Sequence, residues 1–534
     1  MVRGVFINRG YPEDCLITKN FIRGNLFLDS IILMSLRNNL MQVEGVDEVS
    51  VIMGSASNKE ILEDIGLLTE EGRGAQPGDL LIAVRADNDQ AADRVLVRCT
   101  ELLSKREATG HVRDEERPMS LETALQSFPQ ANLVLVSLPG PYAAREAMKV
   151  LEEGRHVMIF SDNVPLEEEI RLKNRARELG LLVMGPDCGT AIINGTALGF
   201  ANRVRRGPFG IIGASGTGIQ EVSVLLHRSG YGLTQAIGLG GRDLSKEVQA
   251  MSMLQAMEAL EQDHETLVIL LISKPPDTEV ANLIYDTVQE KKKRYIINFL
   301  NGDPEAARRR GLHFASGLEE AAQRAIAALE DRPCTLGPLT GDPEELAERA
   351  RAQREKIGKA SCVRGLFSGG TLADEALLIL TRELGGIYSN IPLEGRYRLE
   401  DSSKSRGNTI VDLGEDEFTR GRPHPMIDYT LRCDRMVKEA DDPSSGVILF
   451  DVVLGYGAHP DPASALIPAI EHARNRARAA DRDLCFVASV CGTGEDPQGY
   501  DRQRRALEEH GVIVLGSNAQ AARFTGLVLR GGKD

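Results

Sequence analysis

Tryptophan is missing from the 534 residues, and aromatic side chains together make up 4%. That leaves too few stacking faces for a single-stranded nucleic-acid platform. An excess of positive charge is missing too: 63 Lys and Arg stand against 78 Asp and Glu, a formal charge of −15. A general nucleic-acid binder or a face for anionic lipid would carry the opposite sign. The longest apolar run, LVILLI at 267–272, falls far short of the roughly 20 residues that cross a bilayer. The first residues, MVRGVFINRGYPED, lack the apolar centre of a secretory signal. The eight cysteines (Cys15, Cys99, Cys188, Cys334, Cys362, Cys433, Cys485 and Cys491) form no CxxC and no metal-ligand spacing. The expectation is a cytoplasmic protein with reduced thiols and no metal site.

What is present is an ordinary globular composition, 42% apolar and 26% charged, with 53 glycines. The length fits about three or four domains. Residues 1–104 alternate strand-like runs (5–8, 46–53, 79–84) with helical ones (26–41, 58–68, 87–103), which predicts a small ferredoxin-like or ACT-like α/β unit. The charged stretch 105–119 reads as a linker. Residues 120–205 hold strands at 133–138, 156–160 and 181–184 with helices at 143–153 and 166–179, a Rossmann-like parallel unit. Ligands of such sheets sit at the carboxyl ends of the strands. Those ends carry Pro139, Asn163 and Asp187.

The remainder contains an internal repeat. GIIGASGTGIQE (210–221) matches RGLFSGGTLADE (364–375), AIGLGGRDL (236–244) matches TIVDLGEDEF (409–418), and LVILLISKPP (267–276) matches GVILFDVVLGYG (446–457). RYIINFLNG (294–302) then pairs with DLCFVASVCGTG (483–494), and GLHFASGLEEAA (311–322) with GVIVLGSNAQAA (511–522). Collinear order makes chance a poor account. The reading is two copies of one doubly wound α/β domain, at 207–330 and 361–530, joined by a Pro/Gly-rich and then charged linker at 331–360.

The first repeated pair is a strand, a Gly-Thr turn and a helix start. Such a start leaves about four N–H groups unpaired and carries about half a positive charge, so it can seat an anion. The seat residues are Ser215, Gly216, Thr217 and Gly218 in one copy and Gly369, Gly370 and Thr371 in the other, with no Walker A lysine. An ordinary capped turn is the better account of one such loop. With two copies, a phosphate-sized anion gripped between them is as good an account. Glu221 and Glu375, further along those helices, are ligand-orienting candidates or interdomain carboxylates. In GRPHPMID (421–428), Arg422 suits an oxyanion contact and His424 a proton transfer, with Asp428 nearby. Lys274 and His459 follow equivalent strands. Asp243, Glu415 and Asp416 are candidates to gate the site or hold a cation, or are solvated turns. Cys188 lacks a basic neighbour and reads as a buried thiol.

Together with GPDCGTAIINGT (185–196), IGLGGRDLS (237–245), SKPP (273–276), LFSGGTL (366–372) and LFDVVLGYGAHPDPAS (449–464), these strings resemble the FdrA family over nearly the whole chain. YSNI (388–391) beside GRPHPMID points to its YahF-like branch. That family is similar to succinyl-CoA synthetase. The resemblance implies a Rossmann-like CoA-binding-type domain and two flavodoxin-like ligase-type domains, related to those of the α and β subunits, after the small α/β domain. The synthetase's paired helix N-termini hold a phosphorylated histidine, and its Gly-His-Ala-Gly loop would fall between Asn301 and Leu312. That stretch is GDPEAARRRG, without histidine, and His313 in the next strand is a poor substitute. The Gly-rich first CoA loop and an ATP-grasp domain have no counterpart.

FdrA-type chains also resemble a subunit of a multi-subunit carbamoyltransferase of ureide catabolism, which converts oxalurate and phosphate to oxamate and carbamoyl phosphate. That resemblance implies partner subunits, an oligomer, and phosphate or carbamoyl phosphate as substrate, with no required cofactor. His424 or Arg422 would then donate to the carbonyl oxygen, and His424 or His459 would protonate the leaving nitrogen. An acyl-CoA synthetase component would need a separate nucleotide-binding subunit and would place CoA near Pro139, Asn163 and Asp187. A third reading is a non-catalytic, metabolite-sensing scaffold.

Overall fold

The computed structural model describes residues 16–24, 26, 28, 30–109, 118, 120–335, 343–420 and 422–530. The expected strand at 5–8 and Cys15 lie outside them. By contacts the chain divides into one unit of Met1–Ser120 with Gly421–Pro423, and a second of Leu121–Arg420 with His424–Asp534.

In the first unit, strands Ile17–Arg23, Val46–Met53 and Leu80–Ala86 form an antiparallel sheet in which the third strand lies between the other two. Helices Ser30–Leu40 and Asp89–Thr109 supply Leu36, Leu40, Val95, Cys99 and Leu103 to its core. The order suits the ferredoxin-like unit expected, but its first strand, Ile17–Arg23, was not among the expected strand-like runs. The last helix runs to Thr109, into the stretch read as a linker.

In the second unit, Leu133–Val136, His156–Ile159 and Val183–Met184 make a three-stranded parallel sheet. The two repeats build sheets of the same strand order. In the first it runs His313–Phe314, Arg294–Phe299, Val268–Ser273, Arg206–Ala214, Leu233–Gly238. In the second it runs Ile513–Leu515, Cys485–Cys491, Ser445–Val453, Cys362–Phe367, Thr409–Asp412. Numbered over these five shared strands this is 5-4-3-1-2, the flavodoxin-like winding, and Tyr388–Ser389 adds a sixth strand beside Thr409–Asp412 in the second sheet.

Two boundaries differ from the sequence reading. The hairpin of Thr190–Ile193 and Thr196–Gly199, read with the 120–205 unit, hydrogen-bonds antiparallel to Leu233–Gly238 and widens the first repeat's sheet to seven strands. Its turn is Asn194-Gly195, both at positive φ, which suits a tight hairpin. The 331–360 linker contains the helix Pro343–Ile357. Leu346, Ala350 and Ile357 share one face and are buried in the core common to both repeats, so a narrow apolar stripe outweighs the charge around it.

Asp243 is neither gate nor solvated turn. It is fully buried and accepts from Lys173 Nζ (2.8 Å) and from the Ser252 and Met253 N–H groups (3.0 Å each) at the start of helix Met251–Gln262. Lys173 also bridges Glu169 (2.8 Å), which ties the three-stranded unit to the first repeat. Removing one member would leave a buried charge unpaired, at a cost of about 3–5 kcal/mol. Among the described residues no helix is long and apolar enough to cross a membrane, and no His/Cys/Asp/Glu group could hold a metal ion.

Candidate functional site

The helices Gly216–Arg228 and Gly370–Leu384 each follow the central strand of their sheet, and their N-termini meet. Ser215 Oγ accepts the Gly218 N–H (3.1 Å) and lies 2.7 Å from Thr371 Oγ1 of the opposite helix. A Cβ on Gly369 would stand 2.9 Å from Thr217 Cγ2, so only glycine allows this approach.

The second terminus is capped differently. Gly369 has no side chain to cap with. Instead Asp451 receives the Ser368 N–H (2.8 Å), the Gly369 N–H (2.8 Å) and the Ser368 hydroxyl (3.0 and 3.1 Å). Arg432 Nη2 lies 3.3 Å from the same carboxylate, and its Nη1 donates to the Asp451 carbonyl oxygen (2.5 Å). Both residues are fully buried.

Lys274 extends from the first repeat to the second. Its Nζ is 3.0 Å from Asp374 Oδ2, and a Cβ on Gly370 would lie 3.4 Å from Nζ and 2.5 Å from Asp412 Oδ2. Burial works to lower the Lys274 pKa, but Asp374, Asp412 and Glu415 outweigh it and hold the ammonium above its ordinary value. Burial pushes Asp412 up to about 7, with Glu415 and Asp374 adding to the rise and Lys274 and the Gly414 N–H opposing it.

His424 Nε2 and Asp412 Oδ1 each lie 3.1 Å from the position of a Cβ on Gly414, and Ser368 O lies 3.0 Å from it. His424 Nδ1 accepts the Met426 N–H (3.2 Å), which leaves the proton on Nε2, and the ring packs 5.5 Å from Phe200. Burial lowers its pKa to about 4. Neutral His424 can donate from Nε2, but it is not a charged acid at neutral pH.

The structure therefore gathers Ser215, Gly216, Thr217, Gly218, Gly369, Gly370, Thr371, Lys274 and His424 from the expected residues. Others go elsewhere. Glu221 accepts the Asn518 N–H (3.0 Å), and Glu375 accepts the Leu318 N–H (2.7 Å) and Asn518 Nδ2 (2.8 Å). Each thus caps the start of the last helix of the opposite repeat, Asn518–Leu529 or Leu318–Leu329. They are interdomain caps rather than ligand-orienting groups.

His459 is tied into its own loop, with Nδ1 accepting the Asp461 N–H (3.0 Å) and its ring against Tyr429. Burial lowers its pKa, which favours the neutral ring. Arg422 is exposed and groups with the first unit. Asp428 caps Thr430 N–H (2.9 Å). Burial pushes the Cys188 thiol up to about 12, in keeping with an inert thiol. Exposed Asp416 begins a four-residue helix. His313 is exposed at a sheet end.

Pro139, Asn163 and Asp187 do share the carboxyl end of the three-stranded sheet. Asp187 N–H donates to Ser161 O (2.9 Å), and a Cβ on Gly140 would meet the Asp162 and Asn163 backbone at 2.3–2.5 Å. Sequence reasoning missed Asp374, Asp412, Arg432 and Asp451. The last was marked by a charge inside the apolar run GVILFDVVL, Asp412 by one in TIVDLG.

Comparison with known proteins shows that the chain carries CoA-ligase-type and CoA-binding domains. Residues 366–528 match the CoA-ligase family model and 205–302 the CoA binding domain model. Residues 16–118 match the model described as AllF, heavy metal-associated domain. The YahF protein of Escherichia coli is 41% identical over 96% of this chain and 98% of its own length. The α subunit 2 of an ADP-forming succinate–CoA ligase of Archaeoglobus fulgidus is 26% identical over 41% of this chain and 75% of its own. A Methanosaeta concilii ATP citrate lyase solved with (3S)-citryl-CoA is 17% identical, covering 43% of this chain and 45% of its own with a TM-score of 0.35. The chain belongs to the FdrA family, in its YahF-like branch.

Proposed function

We propose that this chain is the CoA-ligase-type component of a multi-subunit enzyme that activates an acyl group through an acyl phosphate, with a separate nucleotide-binding subunit. The observation that carries this reading is the meeting of two helix N-termini, Ser215 Oγ to Thr371 Oγ1 at 2.7 Å, with Lys274 reaching across from one repeat to the other. Phosphate seated there would be oriented by backbone N–H groups and by the Lys274 ammonium. A phosphate oxygen attacks the thioester carbon of an acyl-CoA, the C–S bond breaks and CoA leaves as its thiolate, giving the acyl phosphate; run in reverse, the same step makes the acyl-CoA. His424 Nε2–H is placed to donate to the carbonyl oxygen as charge builds on it. The match of residues 205–302 and 366–528 to CoA-binding and CoA-ligase models supports the acyl-CoA synthetase-like form.

One observation favours a second form. Residues 301–312 contain no histidine and hold the helix Pro304–Arg309, so phosphate would act as a free substrate rather than through a phosphohistidine. Phosphate then attacks the carbamoyl carbon of oxalurate, the C–N bond breaks, the nitrogen takes a proton to give oxamate, and carbamoyl phosphate leaves. The neutral state of His424 and His459 assigns that proton to another group, from solvent or a partner subunit.

Thermal unfolding of the purified chain against phosphate, carbamoyl phosphate, CoA and ATP tests both forms. Ligand at about 100 times its Kd adds about 2.7 kcal/mol. A shift with phosphate and CoA supports the acyl-CoA form. A shift with phosphate and carbamoyl phosphate but not CoA supports carbamoyl transfer. A Lys274→Met chain that responds to phosphate as the wild type does would remove Lys274 from the site.

A further inference from the structure

The two helix starts are built on equivalent strands but not with equivalent neighbours. Sheet register gives the correspondence. Ile212, three residues before the cap Ser215, pairs with Leu271, and Leu366, three before the cap Gly369, pairs with Phe450. Ile272 and Asp451 are therefore counterparts. On the other side, Gly213 pairs with Gly238 and Phe367 with Asp412, so those two are counterparts as well. The second start is flanked by two buried carboxylates, the first by an isoleucine and a glycine.

We propose that Asp451 is an internal anion at the second helix start, so that the chain binds one external phosphate, at the contact of the two starts beside Lys274, rather than one at each. The carboxylate makes the contacts a bound oxyanion would make: two backbone N–H groups, the Ser368 hydroxyl and the Arg432 guanidinium. Arg432 is fully buried and its Nε has no hydrogen-bond partner among the described residues. The strand supplies the anion to a buried cation that would otherwise need one from solution. In the first copy the matching space holds the Ile272 side chain, whose Cγ2 lies 3.0 Å from where a Cβ on Gly218 would be. A second dianion against Asp451 would meet like charge, and Lys274, the cation at that start, is already 3.0 Å from Asp374. This inference rests on the phosphate seat proposed above and limits it to one phosphate.

Calorimetric titration of the full chain with inorganic phosphate tests it. Wild type should take one phosphate per chain. Ile272→Asp, which copies the second half into the first, should weaken binding at least tenfold, while the isosteric Ile272→Asn stays within about threefold. Asp451→Ser should gain a second phosphate, or a phosphate-dependent rise in Tm that wild type lacks. Asp451→Asn stands in if the serine variant does not fold. Equal binding by Ile272→Asp and Ile272→Asn, or a folded Asp451 variant that gains nothing, overturns the proposal. Wild type that binds no phosphate would overturn the proposed function instead. A gain by Asp451→Ser would still uphold the internal anion, and no gain would sink both.

Discussion

The two repeats agree where they hold each other together and differ where chemistry would occur. Glu221 and Glu375 sit at the same place on their helices, and each caps the last helix of the other copy. Thr217 and Thr371 also correspond, at the contact between helix starts. Around that contact the symmetry ends. Asp451 stands against Ile272 and Asp412 against Gly238. By the same register, Lys274 stands against Val453. The groups that fix the interface come in pairs, and the charged groups of the site occur once. A duplicated fold can keep a twofold scaffold while its site uses the two halves for different tasks.

The sharpest way to break the paired part is to remove a cap. Glu375→Ala leaves the Leu318 N–H and Asn518 Nδ2 without an acceptor in a dry interface. At about 1–3 kcal/mol per buried unsatisfied group, the expected loss is about 3 kcal/mol, read by denaturant unfolding. Glu221→Ala orphans the Asn518 N–H and the weakly donating Cys491 thiol and should cost less. Equal losses would mean that the caps do not act through these bonds.

The same carboxyl gives the paired region a pH signature. Burial, with repulsion from Glu221 and Glu319, pushes Glu375 up to about 7, against bonds from Asn518 and Leu318. A carboxyl raised in the folded state keeps its proton there while the unfolded chain has lost it. The contribution of Glu375 to stability therefore falls as pH rises from about 4.5 to about 7 and is level above. Glu375→Gln, which keeps an acceptor, should remove that contribution, a change relative to wild type of on the order of 2 kcal/mol between pH 5 and 8. Unchanged slopes in variant and wild type would show that another group carries the proton.

The unpaired part is sharpened by Lys274. Lys274→Met should weaken phosphate binding about tenfold, the effect of about 1.4 kcal/mol. Asp374→Asn, which loosens the 3.0 Å ion pair without removing the cation, should cost less, and Asp374→Glu should restore part of it. An Asp374→Asn chain as impaired as Lys274→Met would make the carboxylate itself a contact group.

The repeat was legible because a doubly wound domain needs apolar strands that end in glycine or polar turns, and five such segments recur in one order. Its partition was less legible. The hairpin at 190–199 carries its own signal in Asn194-Gly195, but which sheet it joins depends on Gln235 and Ala236, far along the chain. The helix Pro343–Ile357 hides three core residues among charges. At the site, glycine and threonine spacing marked both helix starts. The carboxylates beside them come from neighbouring strands, and a pattern read along one segment does not show what the adjacent strand delivers. Asp451 and Asp412 were visible as charges in apolar runs, but their partners Arg432 and Lys274 lie on other elements. Glu221 and Glu375 are the reverse case. Their equivalence was visible, yet only packing reveals that they cap helices.

His424 supplies the smallest and most specific test, because nothing should happen where a histidine normally titrates. Its Nδ1 is occupied by the Met426 N–H, its ring lies against Phe200, and burial outweighs the pull of Asp451 to bring the pKa to about 4. A histidine depressed in this way stays neutral in the folded chain while the unfolded chain takes up a proton. Its contribution to stability is intact above about pH 6.5 and is lost as pH falls toward 4. That slope opposes the one from Glu375 over much of the same range, so wild type should show a flatter profile than either single variant. Glu375→Gln should gain stability with rising pH there, and His424→Asn should lose it. In the NMR spectrum, the imidazole signal that His424→Asn removes should hold its position from pH 8 to 5. A midpoint near 6.5 would return His424 to the role of a charged acid and make it, beside Asp412, a group that answers to pH at the site.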